Sequence, residues 1–211
     1  MKKYLFFVFS IFISISSIAQ VKFTETFDGS GHLDWNEYAS KEVSALIKMG
    51  MLDLEVLKEG WVAKTQTDLP VLPEYDFKVT MKLVVPKIEK DEEFVILFDM
   101  DENFKRTAFV FSENKFVACT FTTKSAKNGM PSQCIFGDGE EIQIKLPKAK
   151  NREIEVVIER KGNKTIVSYN NIEVYKHNYK LHSPYLGFLT STHLKVDELI
   201  VEQRYTGESS Y

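Results

Sequence analysis

The sequence has little cysteine, proline and glycine, with 2 Cys, 6 Pro and 10 Gly among 211 residues. These numbers exclude a disulfide-dense scaffold, a collagen-like chain and a proline-rich disordered chain, since each class is built from far more of these residues. The chain also lacks an excess of basic residues, because 27 Lys and Arg stand against 30 Asp and Glu. A nucleic-acid-binding surface needs clustered Lys and Arg to replace phosphate counterions, so no nucleic-acid partner is expected. The hydrophobic fraction of 44% is enough for an ordinary globular core.

No apolar run reaches the roughly 20 residues that a transmembrane helix needs, but a shorter one opens the chain. Two lysines precede an apolar stretch over residues 4–13, and the small residues Ser17 and Ala19 lie just before Gln20. This pattern is typical of a secretory signal peptide and predicts one over residues 1–19, with cleavage before Gln20. A membrane anchor is the alternative, but the run is short and no stop-transfer charges follow it. We expect a periplasmic or secreted protein with no membrane span, whose formal net charge falls from −3 to −5 as the two lysines leave.

After the leader, apolar residues alternate with polar ones in the manner of β-strands. Such alternation buries one face of a strand and leaves the other in water. It is seen over 77–85, 142–146 and 153–159. Residues 93–100 and 107–122 are apolar on both sides, as in central strands that are covered on both faces. The pattern predicts an all-β chain with a single β-sandwich domain over 20–205 and a frayed tail over 206–211.

Turn residues divide the later part of the chain into hairpins. Ser112–Lys115 separates two apolar runs, and Lys161–Lys164 and Asn170–Asn171 do the same further on. Gly and Asn tolerate the positive φ of tight turns, so the last two turns predict three consecutive antiparallel strands. The segment Asn36–Lys48 differs, because apolar residues at helical spacing follow a potential N-cap. It is interpreted as either a short helix or an irregular loop.

Short motifs follow one another in a recognisable order along almost the whole chain after the leader. They are Phe23–Asp28 with Trp35, Gly50–Leu54, Phe94–Phe98 with Phe109–Phe111, Asn151–Arg160 with Gly162-Asn163 and Tyr169-Asn170, Tyr185–Phe188, and Val196–Leu199. Together they resemble the concanavalin A-like lectin/glucanase superfamily, and within it the laminin G-like domains of exported bacterial proteins. The resemblance implies a jelly-roll β-sandwich of two antiparallel sheets. It says little about function, because such folds carry lectins, glycanases and adhesion modules.

Glycoside hydrolysis needs a pair of carboxylates flanking the scissile bond. The glucanase branch of the superfamily has a Glu-x-Asp-x-x-Glu strand motif, which the sequence lacks. Two acid pairs come nearest, Glu153 with Glu155 and Asp99 with Asp101, but neither leads to a further Glu at the required spacing. No nucleophile elbow, phosphate loop or histidine-based zinc spacing is present either. We expect a non-catalytic glycan-binding protein that requires no cofactor, with a glycoside hydrolase or an envelope protein-protein interaction module as the alternatives.

A sugar site combines aromatic platforms with hydrogen-bonding side chains. The candidates are Trp61, Tyr75 and Tyr175, with Asp99 and Arg106 as polar partners near one strand end. Trp61 either lies at a strand start near the surface or packs in the core, and both interpretations stay open. The other tryptophan, Trp35, is expected in the core. The expected partner is a glycan or another component of the cell envelope.

Members of the superfamily often bind one structural calcium ion where the first and last strands meet. By this resemblance, Glu25 and Asp197 are the candidate calcium ligands. Ordinary solvated carboxylates are the favoured alternative at both positions, because calcium takes six or more oxygen ligands and the sequence nominates two residues. A helix–loop–helix calcium loop at Asp99–Asn103 is disfavoured because Phe104 stands where that loop needs glycine.

The two cysteines, Cys119 and Cys134, are expected to form a disulfide in an exported protein. Lys127–Gly129 marks a turn between them that could bring them together. Closing this loop of about 16 residues stabilises the fold by about 3 kcal/mol in the chain-entropy model. The alternative is a pair of small buried side chains that never meet, and in either case the role is structural.

Overall fold

The structure is a computed structural model that describes residues 19–29, 33–85, 88, 92–100, 106–113, 115–123, 134–136, 140–143, 152–178 and 181–205. The strands in these ranges are, in chain order, β1 Ala19–Glu25, β2 Tyr38–Ala39, β3 Val43–Lys48, β4 Met51–Val56, β5 Ala63–Asp68, β6 Asp76–Val85, β7 Glu93–Met100, β8 Arg106–Ser112, β9 Lys115–Thr123, β10 Cys134–Phe136, β11 Glu140–Gln143, β12 Arg152–Lys161, β13 Lys164–Tyr169, β14 Ile172–Asn178, β15 Tyr185–Thr190 and β16 Leu194–Tyr205. Within the described ranges, no helix is long and apolar enough to cross a membrane. Residues 1–18 of the predicted leader over 1–19, and the predicted tail over 206–211, lie outside the described residues.

The strands form two sheets. The nine-stranded sheet has the order β14-β13-β12-β6-β16-β4-β3-β2, and β1 pairs with β16 outside this path. The seven-stranded sheet has the order β10-β9-β8-β7-β15-β5, and β11 pairs with β9. Neighbours such as β6 and β16, or β7 and β15, come from distant parts of the chain and run antiparallel. Two such sheets over one core form a jelly-roll sandwich, which confirms the predicted all-β fold.

The alternating segments predicted from the sequence are central strands of the nine-stranded sheet. In the β6–β12 ladder, Val79 lies opposite Ile158 and Leu83 lies opposite Ile154. The core-facing residues of β6 are 3% exposed or less, and they are Phe77, Val79, Met81, Leu83 and Val85. Beyond β12, Asn170 at a φ of 45° closes the β13–β14 hairpin. The three consecutive antiparallel strands β12, β13 and β14 are therefore confirmed.

Aromatic side chains of the seven-stranded sheet fill the space between the two sheets. Phe94 and Phe111 stack with ring centroids 4.8 Å apart. Trp35 stacks on Phe188 at 5.7 Å and is 5% exposed, which confirms its predicted place in the core. Aromatic pairs of this kind add roughly 0.5–1.5 kcal/mol each to the burial of their surface. The seven-stranded sheet is therefore held firmly on its inner side.

A second apolar cluster lies on the opposite side of the seven-stranded sheet, called here the outer face. Successive side chains of a strand point to opposite sides, so Val95 and Leu97 lie on the outer face while Ile96 and Phe98 face the core. The buried members of this cluster are Val95, Leu97, Ala108, Val110, Cys119, Tyr185 and Leu189. Strand β7 is therefore apolar on both sides, as the unbroken run over 93–100 predicts.

The segment Asn36–Lys48 is neither a helix nor an irregular loop. It contains the short strand β2 and the strand β3, which pairs with β4 along its whole length. Val43 and Ala45 of β3 face the core two residues apart, and this strand period decides the local structure. The backbone N–H of Asn36 donates to the carbonyl of Gln66 at 3.3 Å, so Asn36 lies along β5 and caps no helix.

The predicted disulfide between Cys119 and Cys134 is wrong, because Cys119 is a free thiol. In the β9–β10 register, Cys134 lies opposite Thr123, four residues along β9 from Cys119. Four residues of a strand span about 13 Å, whereas bonded cysteines have Cα atoms about 4.4–6.8 Å apart. Burial, and then the nearby Glu93 carboxylate, raise the pKa of the Cys119 thiol to about 11. Cys119 is therefore a protonated, weakly polar group of the outer-face cluster at neutral pH.

Candidate functional site

The three aromatic candidates from the sequence lie at separate places in the fold. Trp61 precedes β5, is partly buried against the core, and has the Lys58 ammonium 5.8 Å from its ring centroid. Tyr175 lies on β14 and packs against Phe109, with ring centroids 5.5 Å apart. Tyr75 lies in the bend that precedes β6. The structure therefore does not bring these rings together as one platform.

Asp99 and Arg106 do lie close together, at one end of the outer face. A bulge at the end of β7 gives Asp99 a φ of 58° and sets Arg106 opposite Met100. The Asp99 carboxylate accepts hydrogen bonds from the backbone N–H of His182 at 2.9 Å and of Ser183 at 2.8 Å. It also lies 3.2 Å from Nδ1 of the His182 ring. These contacts hold Asp99 in a left-handed conformation that costs a non-glycine residue about 1–2 kcal/mol.

Tyr185 lies at the same end of the outer face and contacts both Gln66 and Arg106. Its hydroxyl donates a hydrogen bond to Oε1 of Gln66 on the neighbouring strand β5. The Arg106 guanidinium lies 5.1 Å from the centroid of the Tyr185 ring, a cation–π distance. The ring lies across Gly187, where an added Cβ would approach the Tyr185 hydroxyl to 3.2 Å. Burial raises the pKa of the Tyr185 hydroxyl, with the Arg106 charge acting in the opposite direction, so the group remains a donor at neutral pH.

A cleft of about 400 Å³ opens beside Tyr185 along the edge strand β5, and we call it the β5 cleft. It is lined by Leu33, Asp34, Asn36, Gln66, Thr67, Asp68, Leu69, Pro70 and Tyr185. Asp34 and Asp68 are exposed, and the described lining contains no Lys or Arg. The β5 cleft is therefore acidic and rich in hydrogen-bonding groups, and its volume is in the range of small-molecule sites.

Buried contacts hold the wall of the β5 cleft that is formed by residues 33–36. The Glu25 carboxylate is fully buried and accepts hydrogen bonds from the backbone N–H of Phe27 at 3.0 Å and of Leu33 at 3.3 Å. The Thr65 hydroxyl donates to the carbonyl of Asn36 at 2.9 Å. Together with the Asn36–Gln66 backbone bond, these contacts attach the wall to β5. A cleft with a wall fixed in advance loses less entropy when a ligand binds.

The candidate calcium ligands Glu25 and Asp197 have different surroundings. Both oxygens of Glu25 accept backbone hydrogen bonds in the interior, whereas Asp197 is exposed at a bulge of β16. In the β1–β16 ladder Glu25 lies opposite Leu199, two residues beyond Asp197. A calcium ion at this pair stays a prediction.

Sequence reasoning found Asp99 and Arg106 at this end of the sheet but missed Tyr185, Gln66 and Asp68. The core-facing residues of β5 after Ala63 are threonines, so the apolar–polar alternation of this strand is weak. Tyr185 and Gln66 are 119 residues apart in the chain, and no local pattern connects them. The alternation of Gln66 and Asp68 on one side of β5 was the available signal.

No protein-family model matches the sequence, and no curated protein matches it significantly. Solved structures do match it. The laminarinase catalytic domain from Thermotoga maritima gives a TM-score of 0.58 at 10% identity, over 90% of this chain and 99% of that chain. A glycoside hydrolase family 16 endo-glucanase from Bacteroides ovatus gives 0.56 at 10% identity, over 84% and 98%. The CBM2 module of the evolved Dit protein of Lactobacillus casei BL23 phage J-1 gives 0.50 at 10% identity, over 90% and 98%.

These likenesses show the fold of the chain, a jelly-roll β-sandwich similar to those of the laminarinase domain and the endo-glucanase. They confirm the jelly-roll sandwich that the resemblance of the short sequence motifs implied. At identities near 10% the likeness concerns the fold, and the chemistry of the chain has to be argued from its own side chains. The narrower laminin G-like assignment stays a prediction.

Proposed function

We propose that this chain is an exported, non-catalytic β-sandwich that binds carbohydrate in the β5 cleft. The observation that carries the proposal is the set of two carboxylates, two side-chain amides and a tyrosine around about 400 Å³ of open space. Neighbouring hydroxyls of a sugar ring offer donors and acceptors side by side, which amides and carboxylates match. Two of the structures with a similar fold are an endo-glucanase and a CBM2 module, which supports a sugar ligand.

The middle of the outer face favours binding without hydrolysis. On β7, the outward positions between Glu93 and Asp99 are Val95 and Leu97, both buried. A retaining glycosidase needs two carboxyl groups about 5 Å apart, and an inverting one needs them about 6.5–9.5 Å apart. Among the described residues, the centre of this face offers aliphatic side chains instead.

A glycoside hydrolase is the second candidate, because Asp34 and Asp68 line the same cleft. One protonated acid and one carboxylate on either side of a glycosidic bond are the minimum that hydrolysis requires. A reducing-sugar assay on any polysaccharide that the protein binds decides between the candidates. The non-catalytic proposal predicts no release of reducing ends above background. Release that is lost in Asp68→Asn would replace it with the hydrolase.

Export rests on the leader pattern of residues 1–19. Strand β1 begins at Ala19, and Gln20 lies opposite Arg204 in the β1–β16 ladder. Cleavage before Gln20 therefore leaves the ladder nearly whole in the mature chain. Expression of the full chain in a bacterial host, followed by N-terminal sequencing of the exported protein, is expected to find Gln20 first. A chain that stays in the cytoplasm with its leader attached contradicts this part of the proposal.

A glycan array with the mature chain from Gln20, run with and without calcium, tests the binding function. The Gln66→Ala variant removes a cleft amide and the acceptor of the Tyr185 hydroxyl. Loss of one such hydrogen-bonding group in a cleft costs about 1–3 kcal/mol, so we expect a Kd about 5- to 150-fold weaker. A dependence on calcium would in addition support the predicted ion at Glu25 and Asp197.

Trp61→Ala is the matched comparison, because Trp61 lies beyond the opposite end of β5 from Asp68 and is partly exposed. Binding that is weakened by Gln66→Ala and kept by Trp61→Ala supports the β5 cleft as the site. Binding lost in Trp61→Ala alone would move the sugar site to that end of the strand. A folded wild-type chain that binds no glycan on a broad array would leave a protein-binding module of the envelope as the function.

A further inference from the structure

A compact polar cluster lies on the side of the nine-stranded sheet that points away from the core, and it shares no residue with the lining of the β5 cleft. Leu52 and Leu54 of β4 face the core, so strand alternation places Asp53 and Glu55 on the opposite side. His193, just before β16, brings its imidazole to these carboxylates. Asp53 is 3% exposed, and a carboxylate so buried needs close partners to offset its lost hydration.

The two oxygens of each carboxylate have different partners. On one side, His193 Nε2 lies 2.5 Å from Asp53 Oδ1 and 3.9 Å from Glu55 Oε1. On the other side, Lys48 Nζ lies 3.3 Å from Asp53 Oδ2 and 3.0 Å from Glu55 Oε2. Lys195 Nζ also lies 3.7 Å from Asp53 Oδ2. The lysines therefore hold one oxygen of each carboxylate, while the other oxygen of each is on the imidazole side.

We propose that Asp53, Glu55 and His193 bind a divalent transition-metal ion of the zinc type. A donor atom of each residue lies within 4.8 Å of the others. Bond lengths of about 2.0–2.2 Å to a tetrahedral zinc ion place its ligand atoms about 3.3–3.6 Å apart, between the two distances that separate His193 from the carboxylate oxygens. One imidazole nitrogen with two carboxylate oxygens is a set of three protein ligands that leaves a fourth position for water. The nitrogen ligand favours zinc, nickel or copper over calcium and magnesium, which prefer oxygen.

Lys48 and Lys195 orient the ligating carboxylates in this arrangement, as groups behind metal ligands commonly do. Their positive charges also oppose a cation, so the site binds more weakly than a closed structural zinc site. We expect a Kd for zinc on the order of 1–100 μM, so the site fills when the ion is added at such concentrations. The two lysine side chains are 38% and 34% exposed and can turn towards water when the ion binds.

Titration calorimetry of ZnCl₂ into the mature chain, free of any affinity tag, tests the proposal. We expect one ion per chain, and His193→Ala should weaken binding by about a hundredfold or more. His182→Ala is the matched control, because it removes another imidazole in contact with a buried carboxylate, that of Asp99. It should leave the zinc affinity unchanged. The electron paramagnetic resonance spectrum of bound Cu²⁺ should show imidazole nitrogen coupling that disappears in His193→Ala.

Glu55→Gln provides a second test if His193→Ala does not fold. Glu55 is partly exposed on the side of the sheet away from the core, so this substitution should leave the core intact. Zinc should bind this variant about tenfold more weakly. The proposal is overturned by the absence of saturable one-to-one binding up to about 1 mM ZnCl₂. It is equally overturned if folded Glu55→Gln or His193→Ala binds zinc as the wild type does, or if His182→Ala abolishes binding. Glycan binding should be the same in Glu55→Gln and His193→Ala, because the cluster is on the other sheet.

Discussion

The wall of the β5 cleft depends on the buried carboxylate of Glu25. Its two oxygens accept the backbone N–H groups of Phe27 and Leu33, so Glu25→Gln sets an amide NH₂ against at least one of these donors. A buried donor left without an acceptor costs about 1–3 kcal/mol. We expect the free energy of unfolding, measured by urea denaturation at pH 7, to fall by about that amount.

Glu37→Gln is the control for this prediction. The Glu37 carboxylate also accepts a backbone hydrogen bond, from Ile47 at 2.8 Å, but at an exposed position. Water can replace that bond, so we expect a loss below about 0.5 kcal/mol. Equal effects of the two substitutions would mean that burial of Glu25 contributes nothing to the wall.

Gly187 makes room for the Tyr185 ring, and this leads to a second prediction. In Gly187→Ala the new Cβ would lie 3.2 Å from the Thr65 carbonyl oxygen and 3.2 Å from the Tyr185 hydroxyl. The ladder holds the Thr65 carbonyl, so the Tyr185 ring must shift by a few tenths of an ångström, which disturbs its hydrogen bond to Gln66. We expect a loss of about 1–3 kcal/mol in stability from overpacking, together with weaker glycan binding. Urea denaturation and the glycan Kd measure the two effects. Unchanged binding in Gly187→Ala would show that the ring position does not matter to the site.

At the scale of elements, the edge strand β5 gives its cleft a negative potential. Asp68 comes from β5 and Asp34 from the wall beside it, and the described lining contains no Lys or Arg. Two like charges about 4 Å apart repel by roughly 1 kcal/mol in bulk water and by roughly 4 kcal/mol near a protein surface. A neutral or amino sugar oligomer should therefore bind at least about fivefold more tightly than its uronate counterpart at low salt.

Salt and substitution separate this charge effect from a difference in shape. The preference should shrink in about 0.5 M NaCl, because screening shortens the range of the repulsion. It should also shrink in Asp68→Asn, which keeps the shape of the side chain and removes its charge. A uronate oligomer that binds as tightly as the neutral one at low salt contradicts the prediction.

How well the sequence predicts an element depends on what lies on its two faces. Strand β6 alternates strictly between core and solvent, and its pattern predicted it correctly. Strand β3 has Ser44 buried between the core residues Val43 and Ala45, so its alternation is blurred and the segment resembled a helix. Tertiary pairing with β4 decides the matter there, and that pairing is not encoded in any local period.

At the scale of the whole molecule, the candidate site is assembled by the sheet order. Asp34, Gln66 and Tyr185 come from three distant parts of the chain, and they meet because β15 pairs with β5 and residues 33–36 lie along β5. The predicted fold class could not supply this register, because many strand orders satisfy the same alternation. Asp99 and Arg106 were found from sequence because one hairpin, β7–β8, brings them together.

The free thiol of Cys119 makes the stability of the sandwich independent of redox state. A disulfide that closes a loop of about 16 residues would contribute about 3 kcal/mol, which in a domain of this length corresponds to a Tm higher by about 6–12 °C. Because Cys119 is buried, unbonded and protonated at neutral pH, we expect the Tm of the mature chain to be the same within about 1 °C with and without dithiothreitol. Differential scanning calorimetry measures this, with Cys134→Ser as the control, which should also leave the Tm unresponsive to the reductant. A fall of several degrees in the Tm on reduction, absent in Cys134→Ser, would show that the disulfide forms after all. A stable fold without it means that the two-sheet core suffices without a covalent link.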